Sequence, residues 1–126
     1  MVKVEIWSDV VCPYCYIGKR EFENALAQFP HREEVQVEWK SFELDREAPV
    51  RAEDDMFTML AKKYGRTRDE AKGMVAGVVE RAKTVGLEYD MEHAVMGRSF
   101  DAHRLIQFAD TKGKAGEAEE RLFKAH

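Results

Sequence analysis

The chain has 126 residues, a formal net charge of −4, and 44% apolar and 35% charged residues, the size and balance of one globular domain with a core of its own. The acidic excess argues against a general nucleic-acid or anionic-membrane binder, because both select basic surfaces. No run approaches the roughly 18 consecutive apolar residues of a membrane span.

Met1 leads directly into Val2-Lys3-Val4-Glu5-Ile6, with no basic stretch followed by an apolar segment. The expectation is a cytoplasmic protein whose thiols are kept reduced. Val2, Val4 and Ile6 alternate with charged residues and predict a strand over residues 2–8. A helix follows from Pro13 to about Phe29, with Pro13 at home in the first turn and Ile17, Phe22, Ala25, Leu26 and Phe29 as its apolar stripe. Val35, Val37 and Trp39 alternate with polar residues and predict a second strand over residues 35–42. Strand, helix and strand in this order form a βαβ unit with parallel strands and a right-handed crossover.

Beyond Pro49 the pattern becomes helical. Residues 54–64 and 68–85 carry apolar residues at helical spacing, and Thr67 with Glu70 forms a capping-box pair. A loop over residues 87–98 precedes a helix over 100–112, with Ser99 as its cap and Phe100, Leu105, Ile106 and Ala109 inward. A last helix covers residues 115–125 and includes Leu122 and Phe123. The expected division is 1–48 for the βαβ unit and 49–126 for an all-helical domain.

Chemistry concentrates in Cys12-Pro13-Tyr14-Cys15, directly after a strand and at the opening of a helix. The free amides and dipole of a helix N-terminus stabilise an anion, so the Cys12 thiolate is expected to be favoured. Cys15 lies one turn on, within reach of the Cys12 sulfur. Cys12 is then the attacking nucleophile, and Cys15 resolves the mixed disulfide. Pro13 stiffens the turn. Tyr14 supplies a hydroxyl and no positive charge, which predicts a potential below that of the strongest oxidants of this kind.

A zinc site needs about four ligands. No second CxxC exists, and His31, His93, His103 and His126 are scattered, so no metal site is expected. Two inert cysteines packed as small apolar groups are the remaining alternative.

The segment Asp9-Val10-Val11-Cys12-Pro13-Tyr14-Cys15-Tyr16-Ile17-Gly18-Lys19 resembles the DsbA-like thiol–disulfide oxidoreductases, specifically their FrnE-like branch. Phe42-Glu43-Leu44 with Pro49, and Phe100-Asp101-Ala102-His103-Arg104-Leu105, resemble further segments of that family. The resemblance implies an α/β fold in which a thioredoxin-like unit is interrupted by a helical insertion, with Cys12 and Cys15 as the redox pair. Such relatives continue into a strand opened by a cis-proline, a hairpin and a final helix. None of Pro13, Pro30 and Pro49 matches that proline, and the C-terminal strands of the thioredoxin fold are absent from residues 1–126. The expectation is a fragment, or a subunit completed by another chain or a second copy.

Other residues carry two readings each. Trp7, Tyr16 and Trp39 either line a substrate groove or pack as core aromatics, the core reading being favoured for Trp7 and Trp39. Asp9 either influences Cys12 or serves as a loop residue. Lys19 and Arg20 either attract an anionic substrate such as glutathione or form a solvated helix face. His103 either has a functional role, as the family resemblance implies, or is a hydrogen-bonded packing residue, the packing reading being favoured. Met56, Met59 and Met74 either line a peptide groove or pack as core, the core reading being favoured.

The function expected is exchange of disulfides with protein or small-thiol substrates, with no cofactor beyond the redox-active pair and with glutathione as a co-substrate. One alternative is a glutathione-dependent isomerase or transferase of the kappa-like branch, although that branch carries serine where Cys12 stands. Another is a non-enzymatic redox-sensing or chaperone module.

Overall fold

The structure, a computed structural model, describes residues 1–126. β1 (Val2–Ser8) leads into α1 (Pro13–Ala27), and a short 3₁₀ turn at Arg32–Glu34 leads into β2 (Val35–Ser41). Then come α2 (Met56–Tyr64), α3 (Arg68–Lys83), a second 3₁₀ turn at Met91–His93, α4 (Phe100–Asp110) and α5 (Ala115–Ala125). Every expected helix and strand forms, with ends displaced by at most a few residues. β1 and β2 are parallel neighbours, in register from Val2 opposite Val35 to Ser8 opposite Ser41.

Two compact units result. One joins Met1–Arg46 to Ser99–His126, and the other is Glu47–Arg98. The sequence division assigned residues 99–126 to the helical insertion, and here the structure differs. α4 and α5 pack with the β1–α1–β2 unit instead. Phe123 of α5 stacks on Tyr16 of α1 with ring centroids 4.8 Å apart. Glu120 accepts hydrogen bonds from the Tyr16 hydroxyl at 2.7 Å, Lys19 Nζ at 3.0 Å and the Arg20 guanidinium at 2.9 Å. Helical periodicity shows that a segment is amphipathic but not which neighbour its apolar face will meet, so the boundary was drawn at the wrong helix.

The unit of residues 47–98 has a small core of its own. Met56, Phe57 and Val75 are buried, with Leu60, Val79, Met91, Ala94 and Met96 packed around them. α3 begins on the expected capping box, the Thr67 side chain accepting from the Glu70 amide while the Glu70 carboxylate accepts from the Thr67 amide. α2 ends on Gly65 at φ 63°, a left-handed position that glycine adopts without a Cβ penalty. Of the three methionines read as core, Met56 is buried whereas Met74 is exposed.

In the larger unit, Tyr16 and Ile17 of α1, Ile106 of α4 and Phe123 of α5 are buried. Phe100 and Leu105 were expected to face inward with Ile106. Both are exposed, because the inward face of α4 is carried by His103 and Ile106, three residues apart on one stripe. Ile106 is only 2% exposed. Ile106→Ala should therefore cost about 3 kcal/mol through lost burial and the cavity left behind. Urea denaturation checks this, and a loss of a few tenths would mean that α4 is not docked through this face.

Candidate active site

The chain turns from β1 into α1 across Asp9–Cys12, and this turn positions both thiols. Cys12 is the N-cap residue of α1, in extended conformation, and Pro13 opens the first helical turn. The Cys12 amide donates to the Asp9 carbonyl at 3.1 Å, and the Cys15 amide donates back to the Cys12 carbonyl at 3.1 Å. Both cysteines are free thiols and half-buried. Tyr14, between them, points outward and is 62% exposed.

The two thiols share a hydrogen bond and therefore titrate as a pair. The sulfur that receives the bond is easily ionised, while the proton in the bond is hard to remove. Cys15 is lowered to about 6, first by the Cys12 thiol and then, against burial, by the Asp9 amide and the Ser8 hydroxyl. Cys12 is raised, chiefly because its proton is held by Cys15 and because the site is buried. Which of the two sulfurs holds the charge is a property of the pair and not of either residue alone. The helix N-terminus does act on Cys12, whose sulfur faces the Tyr14 and Cys15 amides. Cys15, however, collects the thiol, an amide and a hydroxyl at once. The pair carries one negative charge, and a shift of the shared proton moves it between the two sulfurs.

Asp9 is only 1% exposed, and a buried carboxylate must be fully partnered to be tolerated. Its Oδ2 accepts from the Leu44 amide at 2.9 Å, and its Oδ1 lies 3.1 Å from Nε2 of the buried His103. The Ser99 hydroxyl also bonds it. Burial pushes the carboxyl up, but His103, Leu44 and Ser99 together outweigh burial and hold it below its ordinary value. Ser99 takes the expected N-cap position of α4, but its side chain makes no capping bond there and its hydroxyl is turned to Asp9. Asp9 and His103, read separately in the sequence, form one buried pair.

The other sequence-marked residues separate. Trp7 is 59% exposed and is no core aromatic. Lys19 is no solvated helix residue either. It is buried, paired with Glu23 and Glu120, and sits 5.6 Å from the centre of the Trp39 ring. Beside His103 lies an open groove of about 600 Å³, bordered by Phe42, Phe100, Arg46 and Arg104. No three or more His, Cys, Asp or Glu side chains are grouped to hold a metal ion, and no helix is long and apolar enough to cross a membrane.

The family model for the DSBA-like thioredoxin domain matches residues 3–126. The chain belongs to that family. This DSBA-like domain is similar to the crystal structure of a probable DsbA oxidoreductase from Streptomyces coelicolor, with a TM-score of 0.88 and 40% identity over 98% of this chain and 53% of that one. It is also 44% identical to the uncharacterized protein YwbO of Bacillus subtilis over 43 residues, which are 34% of this chain and 20% of that protein. The DSBA-like domain thus spans about half of the solved relative.

Two residues of the site went unread in the sequence. Ser8 closes β1 and is buried, and Glu119 of α5 is buried as well. Burial pushes Glu119 up to about 7, against the lowering effects of the Ser8 hydroxyl, Lys19 and His103. A signal was present: Glu119 lies four residues before Phe123, so an acid occupies the apolar register of an amphipathic helix.

Two outcomes follow from these ionisations. The first alkylation of the reduced protein by iodoacetamide should rise with a midpoint near pH 6, set by the lowered member of the pair. A midpoint near 8.5, that of an ordinary thiol, would contradict the shared-proton arrangement. Glu119 ionises near its ordinary 4.5 in the unfolded chain and near 7 in the folded one. Between those values the unfolded state has released a proton that the folded state keeps, so stability falls as pH rises. Glu119→Gln should accordingly gain about 1–2 kcal/mol relative to the parent between pH 4.5 and 8. Urea denaturation at the two pH values reads this directly, and a pH-independent difference would contradict a buried acid.

Proposed function

We propose that this chain carries out thiol–disulfide exchange, with Cys12 attacking and Cys15 resolving. The carrying observation is the pair of thiols joined by one hydrogen bond at the start of α1. Membership of the DSBA-like family and likeness to a probable DsbA oxidoreductase support the same reading.

In the forward direction the Cys12 thiolate attacks one sulfur of a substrate disulfide, and the other sulfur leaves with the bonding electron pair. Cys15 then attacks Cys12 in the mixed disulfide. A Cys12–Cys15 bond forms, the second substrate sulfur leaves as thiolate, and the pair has given two electrons to the substrate. Each step runs in reverse when the pair starts as a disulfide. Both sulfurs are partly accessible, and Tyr14 lies exposed between them, so a substrate strand has an open approach. Pro13 stiffens the turn that presents Cys12, and Trp7, exposed at the end of β1, offers an apolar contact to an arriving chain.

Protein disulfides and small thiols, glutathione among them, are the substrate class, and the pair needs no cofactor or metal for this chemistry. Ala102-His103-Arg104-Leu105 supports placement in the FrnE-like branch. The reading extends to exchange in the cytoplasm.

Reduction of insulin by the chain in the presence of dithiothreitol is the test. Cys12→Ser should abolish it, and Cys15→Ser should stop turnover and accumulate a mixed disulfide visible by intact mass. Full activity in Cys12→Ser would refute the assignment.

A further inference from the structure

The groove beside His103 lies between the end of β2 and α4, inside one compact unit. Two polar atoms on residues that line it are buried and take no hydrogen bond, His103 Nδ1 and Glu43 Oε2. His103 as a whole is only 6% exposed. Asp9 occupies the other edge of its ring, with Oδ1 3.1 Å from Nε2. A carboxylate only accepts, so Nε2 carries the hydrogen of the neutral ring and Nδ1 turns a lone pair away from Asp9. Glu43 Oε2 is an acceptor as well. Two acceptors have thus left water without gaining a donor, and an N–H brought by a ligand removes that penalty.

The border of the groove has the opposite character. Arg46 and Arg104 stand there, both exposed, on a chain whose net charge is −4. Arg104 lies 3.2 Å from Asp101, but the two side chains are 71% and 83% exposed, and a pair so well hydrated holds its members weakly. A guanidinium offers a fork of N–H groups that matches a carboxylate. Phe42 and Phe100, both exposed, add aromatic surface. The volume of about 600 Å³ is that of a small-molecule site.

We propose that this groove binds a free α-amino acid with an apolar side chain. The ammonium donates to Glu43 and to His103 Nδ1, the carboxylate accepts from Arg46 and Arg104, and the side chain lies on Phe42 and Phe100. Simpler ligands fit less of the site. A plain anion leaves both acceptors unpaired and meets the Glu43 carboxylate, a plain cation meets two guanidiniums, and an uncharged apolar molecule satisfies neither set. A peptide N-terminus brings the ammonium without a carboxylate beside it. The site goes beyond the exchange reading and does not rest on it. It does adjoin the redox turn, because His103 holds Asp9, whose carbonyl accepts the Cys12 amide.

Calorimetric titration of the full chain with L-phenylalanine and with L-leucine is the first test. At least one of them should bind saturably, one molecule per chain. Failure of both to saturate by about 10 mM would overturn the proposal. N-acetyl-L-phenylalanine lacks the ammonium and L-phenylalaninamide lacks the carboxylate. Each should bind at least about 10-fold more weakly than L-phenylalanine. Equal affinity for the acetylated form would remove the role of Glu43 and His103. Equal affinity for the amide would give the groove to peptide N-termini, and either result overturns the proposal. The readout is binding alone, so it stands whatever Cys12→Ser does to insulin reduction.

The second test places the ligand. The Nδ1 resonance of His103 should move as the amino acid is added, and a resonance that stays fixed at saturation would overturn the proposal. Glu43→Gln should weaken binding about 10-fold, and Arg46→Ala combined with Arg104→Ala should weaken it by at least as much. Parent affinity in the double arginine variant would put the amino acid elsewhere and overturn the site. Both arginines are exposed, so that variant keeps the experiment decisive if Glu43→Gln fails to fold.

Discussion

A buried negative charge organises this domain. Asp9 sits at the end of β1 with almost no solvent contact, and a carboxylate there survives only if protein groups replace the water it has lost. Its partners come from the segment after β2 (Leu44), from the residue preceding α4 (Ser99) and from α4 itself (His103). Three parts of the chain must therefore converge before this charge is tolerated. The same residue accepts the Cys12 amide on its carbonyl. The convergence that satisfies Asp9 thus also fixes the first turn of α1 and the direction in which its thiols point.

The electrostatics of the pair are a balance of opposing fields. Helix amides at Cys12, and the Asp9 amide and Ser8 hydroxyl at Cys15, draw negative charge into the site. Burial and the Asp9 carboxylate push it out. At Cys15 the favourable groups, the Cys12 thiol first among them, outweigh burial and the Asp9 charge. A stabilised thiolate stabilises the reduced pair and makes the corresponding disulfide more oxidising. Tyr14 contributes no cation to that balance, so the bias comes from the backbone and from neighbouring side chains.

The contact between α1 and α5 uses charges differently. Burial raises the Tyr16 hydroxyl to about 12, and Glu120 holds it there. Arg20, first among its partners, holds Glu120 down to about 2. Glu120 stays ionised because three donors converge on it, while burial raises its neighbour Glu119, one residue earlier, to about 7. Two adjacent glutamates are therefore shifted in opposite directions, set by which face of α5 each occupies. One becomes a clamp on α1. The other becomes an acid with a near-neutral ionisation directly behind the thiols.

Much of this was readable from local sequence. Strand alternation, helix periodicity, the Thr67–Glu70 capping pair and the proline at the start of α1 all act over a few residues, and each element appeared where those signals put it. The CxxC was legible for the same reason, since a helix N-terminus is a local object. What stayed hidden required residues about a hundred positions apart to meet. Asp9 meets His103, and Tyr16 meets Glu120, only after α4 and α5 fold back onto the βαβ unit. The exposure of Trp7, the burial of Lys19 and the raised ionisation of Glu119 depend on that packing and on the solvent it excludes. The sequence by itself determined the elements and the chemical type of the site. Tertiary structure alone decided which groups surround the site and so how readily its acids and thiols ionise, because an ionisation is set by every group within a few ångströms and not only by neighbours along the chain.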